Sequence, residues 1–132
     1  MPQTITKHVK QMVAEANEAV TRVSVDEVRA MLGSDDYVIV DIRDPRELKR
    51  EGKIPGAFSC PRGMLEFWID PESPYHKDIF NQDKTYVFYC ASAWRSALST
   101  RMAQEMGLSP VAHLDGGFSA WKAAGAPIEE VG

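Results

Sequence analysis

Residues 84–107 constrain this chain more than any other stretch. Tyr86, Val87, Phe88 and Tyr89 form an unbroken apolar, aromatic run whose length and β-rich composition read as a strand buried on both faces. Cys90 stops it. Ala91, Ser92, Ala93, Trp94 and Arg95 follow, and Ser96 opens a helical segment. In that segment Ala97, Leu98, Met102, Ala103 and Met106 share an apolar stripe, and Gly107 closes it. The order is strand, tight loop, helix, with a thiol at the first loop position and a guanidinium at the last.

That order has chemical consequences. A thiol reacts as its thiolate, and a free cysteine pKa of about 8.5 falls to roughly 3.5–7.5 at a helix N-terminus or beside a cation. A short loop curling into a helix aims several backbone N–H groups at one spot, and the helix dipole adds partial positive charge there. Cys90 therefore needs no histidine base. The competing reading is a buried strand-end cysteine that packs as a small hydrophobe.

Composition removes several classes of function. At 132 residues the chain forms one domain with room for a real core. The net charge of −4, with no basic run, excludes nucleic acid as a partner. No 18-residue apolar span exists to cross a membrane, and Lys7, Lys10, Glu15 and Glu18 interrupt the N-terminus where a secretory signal would be apolar. Two cysteines in unlike contexts, Cys60 and Cys90, predict free thiols in a reducing cytoplasm, with a single disulfide between them as the alternative. His8, His76 and His113 show no metal-ligand spacing, so neither a metal nor a cofactor is expected, and His113 reads as a core or edge histidine.

In chain order, Ile5, Val9, Met12, Val13, Ala16 and Val20 recur at helical spacing and predict an amphipathic helix over 5–20. Thr21–Val25 reads as a short strand. Ser24 then caps a helix through Val28, Met31 and Leu32 that Gly33 ends. Tyr37–Val40 is a second apolar strand stopped by Asp41, and Pro45 with Glu47 starts a short helix closed by Gly52. Ile54-Pro55-Gly56-Ala57 is a turn, Phe58–Cys60 a short strand, and Arg62–Ile69 a helix. Pro110–Leu114 is a last strand and Phe118–Ala124 a last helix, with Phe67, Trp68 and Trp121 expected in the core. Strands alternating with helices predict an α/β fold whose largely parallel sheet is covered on both faces.

Taken together, these segments resemble the rhodanese family of sulfurtransferases, specifically its single-domain members. The resemblance rests on Val40-Asp41-Ile42-Arg43 with Gly52-Lys53-Ile54-Pro55-Gly56-Ala57, on Cys90 through Ser96, and on Leu114-Asp115-Gly116-Gly117-Phe118-Ser119-Ala120-Trp121. It implies a three-layer fold with a five-stranded, mainly parallel sheet over 21–132, and residues 1–20 form a helical extension packed on that domain. It also implies a sulfurtransferase in which Cys90 carries sulfur as a persulfide, taken from a donor such as thiosulfate or a persulfide-bearing protein and passed to a thiol or cyanide acceptor.

The amides of Ala91, Ser92, Ala93, Trp94 and Ser96 would cradle the terminal sulfur. Arg95 would contact the anion, or else brace the loop against Asp41 or Glu66. Asp41 and Arg43 read as an ion pair fixing the strand end or as site residues. Arg62 and Glu66, four apart on a predicted helix, read as a local ion pair or a rim contact. Trp94 offers an apolar wall to a donor or simply packs the loop, and Cys60 is a buried thiol or a resolving one.

Two departures stand out. Family loops commonly read Cys-x-x-Gly-x-Arg, whereas the fourth place here is Ala93, and the common Gly-His before the Ile-Pro-Gly-Ala turn is Gly52-Lys53. Members of the family with high thiosulfate turnover tend to place a basic residue just after the cysteine, where this chain has Ala91 and Ser92, so the resemblance leaves room for a physiological donor other than thiosulfate, such as a protein persulfide. Phosphatases sharing this fold place five residues between Cys and Arg; this chain has four, too tight a ring for phosphate. The competing function class is a noncatalytic module of the same fold that docks or regulates a partner protein.

Overall fold

The computed structural model describes residues 2–132. Its elements run α1 (Val9–Ala19), β1 (Thr21–Val23), α2 (Val25–Met31), β2 (Tyr37–Asp41), α3 (Pro45–Glu51), β3 (Phe58–Ser59), α4 (Leu65–Ile69), β4 (Thr85–Tyr89), α5 (Trp94–Met106), β5 (Val111–Leu114) and α6 (Gly117–Ala123), with 3₁₀ turns at Arg62–Met64 and Asp78–Phe80. The five strands form one sheet in the order β1-β5-β4-β2-β3. Every pairing in it is parallel, rather than mainly so.

β4 lies at the centre of the sheet, which explains its unbroken apolar sequence. Val87 and Tyr89 point into a core shared with Val28 of α2 and with Phe118 and Trp121 of α6. Tyr86, Phe88 and Cys90 point into the opposite core with Leu65 of α4 and Ala103 of α5. Both faces are covered, so no position on β4 tolerates a polar side chain facing water. Helix α1 lies outside α5, with Val13 and Ala16 packed on Ala97.

Local chemistry starts and stops these elements. Ser24 and Asp44 each close a capping box, with Glu27 and Glu47 respectively returning a bond to the cap's own N–H. In the turn after α3, Gly56 sits at φ +77° and Ala57 N–H donates to Ile54 C=O at 3.0 Å.

Several sequence expectations are corrected here. α1 begins at Val9, and Ile5 ahead of it is exposed. α5 begins at Trp94 rather than Ser96, and its Met106 faces solvent. Residues 62–69 divide into a 3₁₀ turn and a single-turn helix, so Arg62 and Glu66 do not share one α-helical face. Phe67 is exposed because α4 is too short to bury more than Leu65 and Ile69, whereas Trp121 is fully buried.

Candidate active site

Cys90 stands at the carboxyl end of the central strand, where open α/β sheets place their sites. The loop from Cys90 turns into α5 through Ala93, which sits at φ +77° in the left-handed region as the N-cap residue. This is the position where family loops carry glycine, and an alanine there stores about 1 kcal/mol of backbone strain. Ala93 has no side chain with which to cap α5, so the first-turn amides stay uncapped.

Those amides set this loop apart. Among the described residues, the N–H groups of Ala91, Ser92, Ala93, Trp94 and Arg95 have no acceptor within bonding distance. The Ser96 N–H points at the thiol, 3.3 Å from Cys90 Sγ. Cys90 itself is fully buried, beneath a half-buried Ala91 and an exposed Ser92 and Trp94.

The loop is pinned from behind by α6. Phe118 N–H donates to Cys90 C=O at 2.8 Å and Ser119 N–H to Ala91 C=O at 3.0 Å. These bonds occupy the carbonyls of the loop's first two residues, fixing their peptide planes. The approach is possible only because residue 117 is glycine at φ +63°: a Cβ there would lie 2.6–2.8 Å from Ala91 O, Cys90 O and Ala91 C. The sequence signal for this contact is only the paired glycines, Gly116 and Gly117, ahead of a helix.

Arg95 engages neither Asp41 nor Glu66. Its guanidinium makes a two-pronged pair with Glu47 of α3, at 3.0 and 3.1 Å. Glu47 is held below the usual carboxylate range, first by the Arg95 bonds. The Arg95 guanidinium is in turn held charged by Glu47, with a smaller pull from Cys90. Both line an open depression of about 300 Å³ with Asp44, Arg46 and Arg50.

Asp41 and Arg43 form a completely buried ion pair, with Arg43 Nη2 2.7 Å from Asp41 Oδ2 and Nε 3.0 Å from Oδ1. Arg43 also donates to Gly52 C=O at 2.8 Å, and its guanidinium carbon lies 4.2 Å from the Phe118 ring centre. Burial opposes its charge, but the Asp41 bonds outweigh it. The pair ties the end of β2 to the end of α3, and neither side chain reaches solvent. Arg62 lies elsewhere, in a groove between α1 and α5, and Glu66 is exposed on α4. Cys60 is a fully buried free thiol pushed up to about 12 by burial, with Glu66 adding to the effect, which is unsuited to a resolving nucleophile. Among the described residues no group of three acidic, cysteine or histidine side chains is placed to hold a metal, and no helix is long and apolar enough to cross a membrane.

A family model for the rhodanese-like domain matches residues 24–124. The chain belongs to the rhodanese-like domain family. Thiosulfate sulfurtransferase GlpE of Shewanella oneidensis is 32% identical over 103 residues, covering 78% of this chain and 93% of that protein. An uncharacterized Synechocystis protein is 34% identical over 93 residues, and the match covers 70% of this chain but only 47% of that longer protein. Among solved structures, a Rhodopseudomonas palustris protein of unknown function, described as a possible tyrosine phosphatase, superposes with a TM-score of 0.94 at 60% identity, covering 98% of this chain and 99% of that one. The rhodanese-like match leaves α1 outside it.

Proposed function

We propose that this rhodanese-like protein is a cytoplasmic sulfurtransferase that carries sulfane sulfur as a persulfide on Cys90. The observation that carries this reading is the set of unpartnered amides from Ala91 to Arg95, with the Ser96 N–H already on Sγ. A bare thiol has no use for a row of free donors at the start of α5, whereas an anionic terminal sulfur attached to Sγ does. The Cys90 thiolate attacks the outer sulfur of the donor. With thiosulfate the S–S bond breaks with its electron pair leaving on sulfite; with a persulfide donor the pair leaves on the donor thiolate. An acceptor, cyanide or a thiol, then attacks the terminal sulfur and returns Cys90 as thiolate, completing a ping-pong cycle.

Ala91 and Ser92 put no cation beside the sulfur, and Arg95 is engaged by Glu47, so a dianionic donor finds little charge to meet it. A persulfide presented by another protein suits the site better, with the exposed Trp94 as its apolar contact. The same Arg95–Glu47 pair, and the four-residue interval between Cys90 and Arg95, argue against a phosphatase. The deciding experiment is intact mass after incubation with thiosulfate and, separately, with a persulfide donor. A gain of one sulfur atom that is absent from Cys90→Ser supports transfer, and no gain from either donor overturns it.

The complete burial of Cys90 favours a second reading, a noncatalytic docking module. It predicts that Cys90→Ser keeps every partner the wild-type protein binds and that no sulfur is acquired.

A further inference from the structure

The loop is not the only neighbour of the reacting sulfur. Ser96 Oγ lies 3.6 Å from Cys90 Sγ and 2.9 Å from His113 Nδ1, and His113 Nε2 lies 2.8 Å from Asn17 Oδ1. A single hydrogen-bonded string thus runs from a fully buried thiol, through α5 and β5, to a half-buried amide on α1. Its last member, Asn17, stands outside the matched residues 24–124.

The string has a definite polarity. Asn17 Oδ1 can only accept, so Nε2 carries the ring hydrogen and Nδ1 keeps a lone pair. The Ser96 hydroxyl hydrogen points to that lone pair, since its other acceptor, Ala93 C=O, is longer at 3.4 Å. Ser96 Oγ is then left to accept from the Cys90 S–H. Polarised this way the string suits a thiol and opposes an anion, which needs a donor at the same place.

Resting on Cys90 as the reacting sulfur, we propose that this string reverses when Cys90 ionises, turning Ser96 from acceptor of the thiol hydrogen into donor to the sulfur anion. The S–H bond breaks and its proton passes to Ser96 Oγ. The hydroxyl's own proton passes to His113 Nδ1, and Nε2 releases one to water at the edge of α1. The net change is loss of one proton, with no redox partner. Ser96 now points a hydrogen at the anion, Nδ1–H donates to Ser96, and a half-turn of the Asn17 amide presents Nδ2 to the bare Nε2. An amide serves both polarities because it carries a donor and an acceptor. When sulfur leaves for the acceptor and Cys90 takes up a proton, each transfer runs backwards. Burial holds His113 down to about 4, with Asp115 opposing and Arg22 adding to the effect, so the ring conducts a proton between tautomers without retaining it. Asn17 and His113 are positioning residues in this scheme.

Two measurements on the intact protein test it. Long-range proton–nitrogen NMR of His113 reads the tautomer directly: hydrogen on Nε2 while Cys90 is a thiol, and on Nδ1 once it is ionised at raised pH. The same tautomer in both states overturns the reversal. Alkylation of Cys90 by iodoacetamide, followed by peptide mass with Cys60 as the unreactive reference, reads the anion. Ser96→Ala should slow alkylation at neutral pH about tenfold, the worth of one hydrogen bond to a charge, and Ser96→Thr should restore it. An unchanged rate in Ser96→Ala refutes the string while leaving sulfur transfer standing. A wild-type protein that is alkylated with these differences but gains no sulfur refutes the proposed function while upholding the string.

Discussion

Replacing Gly117 with alanine should damage the site more than any exposed substitution in the loop. The added Cβ would sit 2.6 Å from Ala91 O and 2.7 Å from Cys90 O, both backbone atoms that no rotamer change can move away. Residue 117 would also occupy φ +63°, costing an alanine about 1–2 kcal/mol. To relieve the clash α6 must retreat, and the bonds from Phe118 N–H to Cys90 C=O and from Ser119 N–H to Ala91 C=O lengthen or break. At about 1 kcal/mol each, their loss brings the total to roughly 3–4 kcal/mol. Domains of this kind are stable by about 5–15 kcal/mol, so the variant folds but is much weakened.

Urea denaturation followed by tryptophan fluorescence is the direct assay, because Trp121 sits fully buried in α6 itself. At a slope of about 1.5–2 kcal/mol per molar, the midpoint should fall by about 2 M. Sulfur acquisition by the folded fraction should fall too, since freed carbonyls let the peptide planes of Cys90 and Ala91 rotate and scatter the amides. A midpoint within about 0.5 M of wild type, with normal acquisition, would refute the reasoning: it would show that α6 does not fix the loop.

Four further outcomes follow. Ala93→Gly should stabilise the fold by at most about 0.5 kcal/mol, because relief of about 1 kcal/mol of strain at φ +77° only slightly exceeds the added freedom of the unfolded chain, and denaturation measures it. Asp41→Asn leaves Arg43 buried and charged without its partner, and should cost about 3–5 kcal/mol by the same assay. Glu47→Gln weakens a half-exposed pair, costing at most about 1 kcal/mol, yet frees Arg95; the thiosulfate concentration giving half-maximal sulfur loading should fall while the limiting rate holds. His113 has its folded value lowered from 6.5 to about 4, so the unfolded chain binds more protons between those limits. Stability is then fully present above pH 6.5 and falls by about 3 kcal/mol as pH drops toward 4, a slope that His113→Gln should flatten in urea titrations across that range.

What the sequence disclosed follows from the range of the forces concerned. β4 was legible because burial on both faces removes every polar residue from a short run, and Ser24 and Asp44 because a cap and its returning carboxylate sit three residues apart. The left-handed demand at Ala93 surfaced only as a departure from the family's glycine. Contacts between distant elements were not legible. Arg95 and Glu47 are 48 positions apart, and either of two other carboxylates was as plausible a partner until α3 and α5 were placed side by side. His113 and Asn17 are 96 positions apart, and nothing in an apolar strand announces that its histidine will be bonded at both nitrogens. Arg62 and Glu66 failed for a different reason: spacing of four implies a shared face only where the backbone is α-helical, and Arg62 lies in a 3₁₀ turn.

The phosphatase description of the Rhodopseudomonas structure and the sulfurtransferase names of other relatives make opposite demands on the same atoms. A phosphate oxyanion needs a ring wide enough for a tetrahedral group and a free guanidinium to meet its charge. Here the loop is one residue short and its arginine is bonded at both prongs to Glu47. A single sulfur atom extending from Sγ makes none of those demands. It calls for amides without other partners and a loop anchored at its carbonyls, features matched by the unbonded N–H groups of Ala91 to Arg95 and by the two carbonyls bonded to α6. Glu47→Gln separates the two chemistries. If releasing Arg95 switched on aryl phosphate hydrolysis with no gain in sulfur loading, the arginine rather than the amide ring would be the anion-binding element, and the assignment of this site to sulfur would fall.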